Sequence, residues 1–476
     1  MTDNLTLDPT DWDKFSKDAH DMLDAAIAQM RTANDGPVWS PLPDDQKAAL
    51  QAPLPNTGRD IQDQMKALLP HGVGNTHPRF FGWVHGAGTP SNVMADIAAA
   101  AMNANLGGRD HGAMYVEKQV VDWCRDIFDF PADSSGLIVS GTSIATLIAL
   151  KAARDKTTDF ASRTAGCPPK LVGYTSTQTH SCVARTFDIL GIGSDNLRQI
   201  PVNAAFEIDC AALETAIAAD KAAGLTPFAV IGTAGSVNIG AVDDLENLAD
   251  IAAKHGLWFH VDGAFGAVGV LSEDLRPALK GLNQADSIAF DFHKWLHVNY
   301  DAGMVMMRSE QAHRRAFSAR PDYLKGADRG LAAGNPWPTE YGPELSRGFR
   351  ALKIWAHLAT HGTDKLGALI SQNCAQARYL GALVDAADDM ERLAPIPMQL
   401  CCFRFAPSHA PADTLDALND EIIIRLQETG VAAPSSTLIN GINAIRVNIT
   451  NHRTTFADLD LLVAAIREIG TQILKE

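Results

Sequence analysis

Leu-Trp-Phe-His-Val-Asp (257–262) and Asp-Phe-His-Lys-Trp-Leu (291–296) are the two stretches that decide the fold of this chain. The first is an apolar run of strand length that ends on Asp262, and Lys294 follows that residue by 32 positions. Two such runs separated by a connecting segment are typical of the crossover units of a parallel sheet. We therefore expect Asp262 and Lys294 at the carboxyl ends of successive strands, where ligands bind in open α/β sheets.

The same alternation of apolar runs and helical patterns extends from about residue 75 to about residue 350. The runs occupy residues 137–140, 171–175, 228–233, 257–261, 287–290 and 303–307. Strands separated by helices predict a mostly parallel central sheet covered by helices on both faces. The fold class predicted from this pattern is α/β.

The flanking regions predict two further units. Apolar residues at helical spacing between Trp12 and Met30 indicate an N-terminal helix, and a proline-containing connector follows it. After a long helical stretch, strand and helix patterns recur between residue 399 and the C-terminal helix. We predict an N-terminal helical arm and connector (1–75), a large ligand-binding domain (76–360) and a small C-terminal α/β domain (361–476).

Composition argues against several function classes. The 476 residues carry a formal net charge of −16 and contain no Lys/Arg run, which argues against nucleic acid and anionic membrane as partners. No apolar stretch is long enough to span a bilayer, and the first ten residues do not resemble a signal peptide. The seven cysteines form no CxxC pair, so neither disulfides nor a metal site is expected. These features predict a soluble cytoplasmic protein.

The residue types at the strand ends suggest a particular cofactor. A lysine amine forms a Schiff base with the aldehyde of pyridoxal 5'-phosphate, and a carboxylate keeps the pyridine nitrogen of that cofactor protonated. Lys294 and Asp262 suit these two tasks. Each residue alone has an ordinary structural explanation, because aspartate often ends a strand in a turn and lysine often lies at the surface.

Three other predicted strand ends carry polar residues. Thr142 and Ser143 follow the first run and begin a helix, where backbone N–H groups favour a phosphate, although an ordinary helix cap has the same pattern. His180 follows the second run, where it suits stacking on a cofactor ring, and Thr233 ends the third. The coincidence of these residues with Asp262 and Lys294 favours one shared ligand site.

Four motifs extend this interpretation to a family. His-Pro-Arg-Phe-Phe (77–81), Ser-Gly-Thr-Ser-Ile-Ala-Thr-Leu (140–147), His-Val-Asp-Gly-Ala-Phe-Gly (260–266) and His-Lys-Trp-Leu-His-Val (293–298) resemble the group II pyridoxal-phosphate decarboxylases. The resemblance is strongest to the aromatic-L-amino-acid decarboxylase branch, and segments 345–355 and 451–454 extend it over nearly the whole chain. It implies the type I fold of pyridoxal-phosphate enzymes and a homodimer with shared active sites.

The resemblance also implies roles for single residues. Lys294 is then the Schiff-base lysine, Asp262 the partner of the pyridine nitrogen and His180 the histidine that stacks on the ring. Thr142, Ser143 and His293 would bind the cofactor phosphate, and Thr233 would line the ring. Tyr323, in Arg-Pro-Asp-Tyr-Leu-Lys (320–325), matches the catalytic tyrosine of the family's mobile loop, which protonates the carbanion left after loss of carbon dioxide.

The chain departs from the family pattern in its predicted substrate pocket. The aromatic decarboxylases carry bulky or hydroxyl-bearing residues at four positions where this chain has Asn75, Gly86, Asn105 and Gly107. Arg109 adds a charge nearby in the sequence. These changes predict a roomier, more polar pocket in which Arg109 or His111 meets a polar substrate group. Alternatively, Arg109 pairs with Asp110 in a glycine-rich turn.

A further departure is Asp291, where the family usually has asparagine. A carboxylate near the cofactor phosphate is repulsive unless it finds a cation, so no phosphate contact is assigned to it.

The predicted activity is decarboxylation of an L-amino acid to its amine and carbon dioxide, with an aromatic or more polar substrate. Two alternatives stay open at this point. A carbon–carbon lyase or aminotransferase uses the same scaffold, but Tyr323 favours decarboxylation. A non-catalytic cofactor-binding pseudoenzyme would be expected to lack Lys294, Asp262 or His180, and all three are present.

Overall fold

The structure is a computed structural model that describes residues 6–319 and 326–476. Its strands form two sheets. The strands are β1 (Phe80–Phe81), β2 (Ser135–Val139), β3 (Leu171–Ser176), β4 (Leu197–Ile200), β5 (Thr226–Thr233), β6 (Trp258–Asp262), β7 (Ser287–Asp291), β8 (Gly303–Met307), β9 (Met390–Arg392), β10 (Leu400–Phe405), β11 (Ala433–Ile439) and β12 (Ile442–Asn448).

The larger sheet has seven strands in the order β2-β8-β7-β6-β5-β3-β4. All neighbouring pairs are parallel except those of β8, which runs antiparallel to both β2 and β7. Every residue of β3, β6, β7 and β8 is buried, as expected for strands covered on both faces. The predicted α/β class with a mostly parallel central sheet is confirmed, and the architecture is that of the type I pyridoxal-phosphate fold.

The helices cover this sheet and connect its strands. They are α1 (Trp12–Arg31), α2 (Asp44–Ala49), α3 (Gln62–Leu68), α4 (Pro90–Met102), α5 (Gly112–Ile127), α6 (Thr142–Thr157), α7 (Ser162–Ala165), α8 (Cys182–Ile189), α9 (Cys210–Ala222), α10 (Leu245–His255), α11 (Glu310–Phe317), α12 (Arg350–Asp385), α13 (Leu415–Glu428) and α14 (Phe456–Ile473). None of the helices in the described part of the chain is long and apolar enough to cross a membrane.

The smaller sheet has the order β1-β11-β12-β10-β9, with α13 and α14 packed against it. The short strand β1 pairs in parallel with β11, so Phe80 lies opposite Ala433. Helix α12 passes from the large sheet to the small one and contains a non-helical residue, Gly362. The division into residues 1–75, 76–360 and 361–476 stays a prediction.

Candidate active site

The site lies at the carboxyl ends of the parallel strands of the large sheet. A cavity of about 600 Å³ opens there, and all seven residues expected to bind the cofactor line it. They come from five segments of chain, which are the start of α6 after β2, the loop after β3, the last residues of β5 and β6, and the turn after β7: Thr142, Ser143, His180, Thr233, Asp262, His293 and Lys294. The strand order explains this convergence, because β2, β3, β5, β6 and β7 all end at the same edge.

Lys294 lies in the turn that follows β7. Its Nζ is 2.9 Å from Oδ2 of Asp291, the last residue of that strand. The lysine side chain is partly open to the cavity, whereas Asp291 is buried. The turn after β7 therefore places the Lys294 amine at the cavity, with the Asp291 carboxylate beside it.

Asp262 ends β6 and is buried beneath the same cavity. Burial raises the pKa of its carboxyl group, while Lys294, His180 and a hydrogen bond from the Ala264 N–H at 3.2 Å act in the opposite direction. The Cys182 thiol lies 4.0 Å from its Oδ2. A buried carboxylate of this kind gains from a positively charged partner, and a protonated pyridine nitrogen would be one.

Two hydroxyl groups in the lining fit a bound polar ligand. Oγ1 of Thr142 and Oγ1 of Thr233 are both buried without a hydrogen-bond partner among the described residues. Buried polar atoms are nearly always hydrogen-bonded in folded proteins, so these hydroxyls indicate a site that a ligand completes. Thr142 begins α6, where the helix dipole favours an anion such as a phosphate. The residues present therefore fit pyridoxal phosphate.

Two histidines line the cavity together with Lys294. His180 is exposed to the cavity, and its Nδ1 accepts a hydrogen bond from the Cys182 N–H at 3.2 Å. His293 is buried, its Nδ1 lies 2.9 Å from the Ala302 carbonyl oxygen, and burial lowers its pKa. A neutral His293 is thus held in one orientation, with its ring 4.4 Å from that of Tyr300.

The predicted substrate-pocket residues separate into two groups. Asn75 and Gly86 line a smaller adjoining cavity of about 250 Å³, and the Asn75 side-chain amide donates to the Gly86 carbonyl oxygen at 2.7 Å. A side chain at Gly86 would be 2.4 Å from the carbonyl oxygens of His293 and Lys294, so the glycine permits a close backbone approach. The space that a larger residue would fill at this position is occupied by backbone.

Asn105, Gly107 and Arg109 lie outside the lining of both cavities. The Arg109 guanidinium lies over the Trp337 ring at 4.6 Å, and Asp110 accepts a hydrogen bond from the Tyr115 hydroxyl at 2.7 Å. Arg109 and Asp110 thus have separate partners. The sequence places Asn105, Gly107 and Arg109 in a pocket reached from a partner subunit, and that expectation stays a prediction.

Tyr323 lies outside the described residues, and its role stays a prediction.

Other residues of the lining were not assigned from sequence. Arg446 is buried in the wall contributed by β12 and donates to the carbonyl oxygens of Val237, Asn238 and Trp83. Burial lowers its pKa to about 10, which still leaves it charged at neutral pH. An arginine within an otherwise apolar strand pattern was the available signal, but only the packing of the small sheet on the large one shows that it faces the site.

Asp243 is a second residue that sequence reasoning missed. It is buried, and its two carboxylate oxygens accept hydrogen bonds at 2.7 Å from the backbone N–H groups of Ile208 and Thr233. Burial raises its pKa to about 6. Asp243 fixes the end of β5 and with it the Thr233 hydroxyl, and nothing in the local sequence distinguishes it from an ordinary turn residue.

The fold and this set of side chains define a pyridoxal-phosphate-dependent enzyme of the type I fold. Residues 43–406 match the family described as the pyridoxal-dependent decarboxylase conserved domain, and the chain belongs to that family. The protein is accordingly a pyridoxal-phosphate-dependent amino-acid decarboxylase.

Individual relatives agree with this assignment over almost the full chain. An aromatic-L-amino-acid decarboxylase of Bacillus atrophaeus is 31% identical over 484 residues, covering 99% of this chain and 98% of the relative. A phenylacetaldehyde synthase of Arabidopsis thaliana is 28% identical and covers 93% of each chain. The crystal structure of Oryza sativa TDC with PLP and tryptamine is 26% identical, covers 98% of this chain and 100% of the other, and has a TM-score of 0.89.

Proposed function

We propose that the protein converts aromatic L-amino acids to their amines and carbon dioxide, in a cavity that also accommodates polar substrate groups. The observation that carries the proposal is the single cavity that contains Lys294, Asp262, His180 and an aromatic wall. The wall includes Trp83, whose ring lies 5.9 Å from that of His85. The relatives named above, an aromatic-L-amino-acid decarboxylase and a TDC solved with tryptamine, support an aromatic substrate for this chain as well.

The division of labour follows from the positions of the side chains. Lys294 would attach the cofactor, and Asp262 would keep its ring nitrogen protonated. Thr142, Ser143 and His293 bind its phosphate. When bound, pyridoxal phosphate supplies a conjugated ring that accepts the electron pair of the broken bond between the α-carbon and the carboxylate.

His180 and Tyr323 complete the proposed site. His180, which is exposed in the cavity wall, would stack on the cofactor ring and help to exclude water from the substrate. Tyr323 delivers the proton that replaces carbon dioxide on that carbon. The apolar lining residues Val237, Ala264 and Phe265 make release of uncharged carbon dioxide more favourable than retention of a carboxylate.

The polar part of the lining supports the second half of the proposal. Asn238, Ser435, Ser436 and Arg446 form one side of the cavity. The partners of the Arg446 guanidinium among the described residues are backbone carbonyls and the Ser435 hydroxyl, all of them uncharged. Its charge is therefore available to an anionic or carbonyl-bearing group on the substrate.

The proposed assembly is a homodimer with shared active sites. The N-terminal arm supports it, because its helices leave large apolar side chains exposed. These are Trp12, Phe15, Ile27, Met65 and Leu68. A second copy of the chain is expected to cover them, and sedimentation velocity over a range of protein concentrations tests this. A monomer at all micromolar concentrations would contradict the proposed assembly.

The activity is tested by incubating the cofactor-loaded protein separately with aromatic and acidic L-amino acids. Products are identified by mass spectrometry, carbon dioxide is trapped, and the Lys294→Ala variant measures the background. Amine and carbon dioxide in equal amounts from an aromatic amino acid are expected. Turnover of acidic substrates alone would overturn the aromatic assignment, and release of no carbon dioxide from any substrate would overturn the proposed reaction.

A further inference from the structure

Asp291 is a buried carboxylate in the site to which neither the family resemblance nor the proposed function gives a task. It is the last residue of β7 and is only 2% exposed. Its Oδ2 lies 2.9 Å from Lys294 Nζ and 3.7 Å from His293 Nε2. Its Oδ1 accepts a hydrogen bond from the Thr142 N–H at 2.7 Å. One side chain thus contacts the proposed attachment lysine and the proposed phosphate site together.

The contact with Thr142 occupies the N-terminus of α6. The residue before the helix, Gly141, has no side chain with which to cap it. The Asp291 carboxylate takes the first N–H group instead, from a strand that is 149 residues away in the chain. Anions are stabilised at a helix N-terminus by its free N–H groups and its dipole. A carboxylate in this place uses the same donor that a cofactor phosphate would use.

The surrounding backbone is shaped to admit this carboxylate. A side chain at Gly303, opposite Asp291 on β8, would be 2.6 Å from its Oδ1, and one at Gly141 would be 3.5 Å away. Gly303 therefore leaves the space in which the charged group lies, whereas a side chain at Gly141 would only touch it. An asparagine, the usual residue of the family at this position, could accept the same hydrogen bond from Thr142 without the charge.

We infer that Asp291 is an internal anion that takes the place of the cofactor phosphate in the cofactor-free protein and is paired there with Lys294. This inference rests on the proposed assignment of Lys294 as the attachment lysine. When the cofactor binds, the Lys294 nitrogen bonds the aldehyde carbon, and the aldehyde oxygen leaves as water with two protons of the amine. The Lys294 nitrogen keeps its third proton and its charge, but it is now bonded to the cofactor instead of being free to pair with Asp291, and the phosphate approaches a like charge. Asp291 therefore stabilises the cofactor-free protein and weakens cofactor binding.

The Asp291→Asn variant tests this, because it removes the charge and keeps an acceptor for Thr142. Cofactor is removed from the wild type and the variant, and each is titrated with pyridoxal phosphate while the visible absorbance of bound cofactor is followed. We expect the variant to bind at least about tenfold more tightly, as expected when a close like charge is removed from a buried site. Its cofactor-free form is expected to melt at a lower temperature than the cofactor-free wild type.

A second probe separates the phosphate contact from the rest of the cofactor. Inorganic phosphate alone should raise the melting temperature of the cofactor-free Asp291→Asn variant more than that of the wild type. The matched control is Asp133→Asn, which changes the net charge equally at an exposed position before β2. This control should bind pyridoxal phosphate with an affinity within about twofold of that of the wild type. Phosphate should raise its melting temperature by about as much as it raises that of the wild type.

The outcomes distinguish this inference from the proposed site. If both proteins show the absorbance of attached cofactor but the variant binds no more tightly, or binds less tightly, the inference is wrong while Lys294 keeps its role. If neither shows that absorbance, the assignment of Lys294 is wrong and the inference falls with it. Should Asp291→Asn fail to fold, Asp291→Ser also removes the charge and leaves a hydroxyl acceptor, and the same two results decide the question.

Discussion

Arg347 and Glu117 form a fully buried ion pair, with Arg347 Nη2 2.6 Å from Glu117 Oε1. The same guanidinium donates to the carbonyl oxygens of Leu106 and Ile138. Ile138 lies in β2, the strand that leads into the Thr142 end of the cavity, and Glu117 lies in α5. This pair therefore connects the segment before α12 to the strand that positions the proposed phosphate site.

Removing one partner of this pair should destabilise the protein strongly. Arg347→Met leaves Glu117 as an unpaired buried charge, and we expect it to lower the free energy of unfolding by about 3–5 kcal/mol. Urea unfolding followed by circular dichroism measures the change. The double variant Arg347→Met/Glu117→Leu, with no charge left to bury, should recover a large part of the loss. A single variant within about 1 kcal/mol of the wild type would show that the pair is not structurally important.

Lys294→Ala should abolish covalent attachment of the cofactor. The amine is the only part of the residue that reacts, so we expect loss of the visible absorbance that wild-type protein shows with pyridoxal phosphate. Lys280→Ala, at an exposed lysine that pairs with Glu246 at 2.9 Å, is the control and should keep the band. A band retained by Lys294→Ala would move the attachment to another lysine.

Tyr323→Phe should change the product rather than the first step of the reaction. Without the phenolic proton, the carbanion left after loss of carbon dioxide is expected to be oxidised by dissolved dioxygen, which is reduced to hydrogen peroxide, and hydrolysis then gives an aldehyde and ammonia in place of the amine. Carbon dioxide release should therefore continue while the ratio of aldehyde to amine rises at least about tenfold, a change worth about 1.4 kcal/mol in relative barrier height. Product analysis by mass spectrometry decides this, and an unchanged amine yield would contradict the role of Tyr323.

Arg446→Gln should affect polar substrates more than aromatic ones. The variant removes a buried charge that faces the cavity, so kcat/KM for an acidic amino acid should fall at least about tenfold relative to that for an aromatic one. Arg446→Lys, which retains the charge, should restore part of the difference. Equal losses for both substrate classes, together with a lower melting temperature, would show that Arg446 acts only by holding the wall together.

Acid should destabilise the protein as its buried histidines become protonated in the unfolded chain. Burial lowers the pKa of His357 to about 3 and that of His452 to about 4, both below the usual 6.5. Between these pH values the folded protein binds fewer protons than the unfolded chain. The contribution of these two histidines to stability is therefore complete above pH 6.5 and is lost as the pH falls toward 4 and 3.

His357→Gln tests this pH dependence. It should flatten the dependence of the free energy of unfolding on pH between 6.5 and 4 by up to about 1.4 kcal/mol per pH unit, the equivalent of one proton. Urea unfolding at a series of pH values measures the slope. His20→Gln, at an exposed position, is the control. An unchanged slope in the His357 variant would contradict the prediction.

The sequence predicted the large sheet well because its strands are covered on both faces. Such strands are continuous apolar runs, and the predicted run 303–307 coincides with β8. Four strands were not predicted, namely β1, β4, β9 and β11, and two of them show why. Leu197–Ile200 is partly exposed and contains Arg198 and Gln199, so it has no apolar run. Phe80–Phe81 is too short to give a period, and its partner lies more than 350 residues away in the chain.

The site was predicted to the extent that it consists of strand ends. Asp262, Lys294 and Thr233 follow or end apolar runs, and parallel strands bring their ends together. Arg446 and Asp243 could not be found in this way, because their positions depend on the packing of a second sheet and of a turn. The contact between Asp291 and Lys294 depends on the conformation of the turn after β7, which residue types alone do not determine.

The pairing of Phe80–Phe81 with β11 has a consequence for how the chain acquires its structure. β1 is an edge strand of the smaller sheet, and its partner at Ala433 is synthesised more than 350 residues later. Contacts between segments so distant in sequence are slow to form, because closing the long intervening loop costs conformational entropy. A nascent chain that has completed its large sheet still carries Phe80 and Phe81 uncovered, and it is expected to need protection from aggregation until β11 has been synthesised.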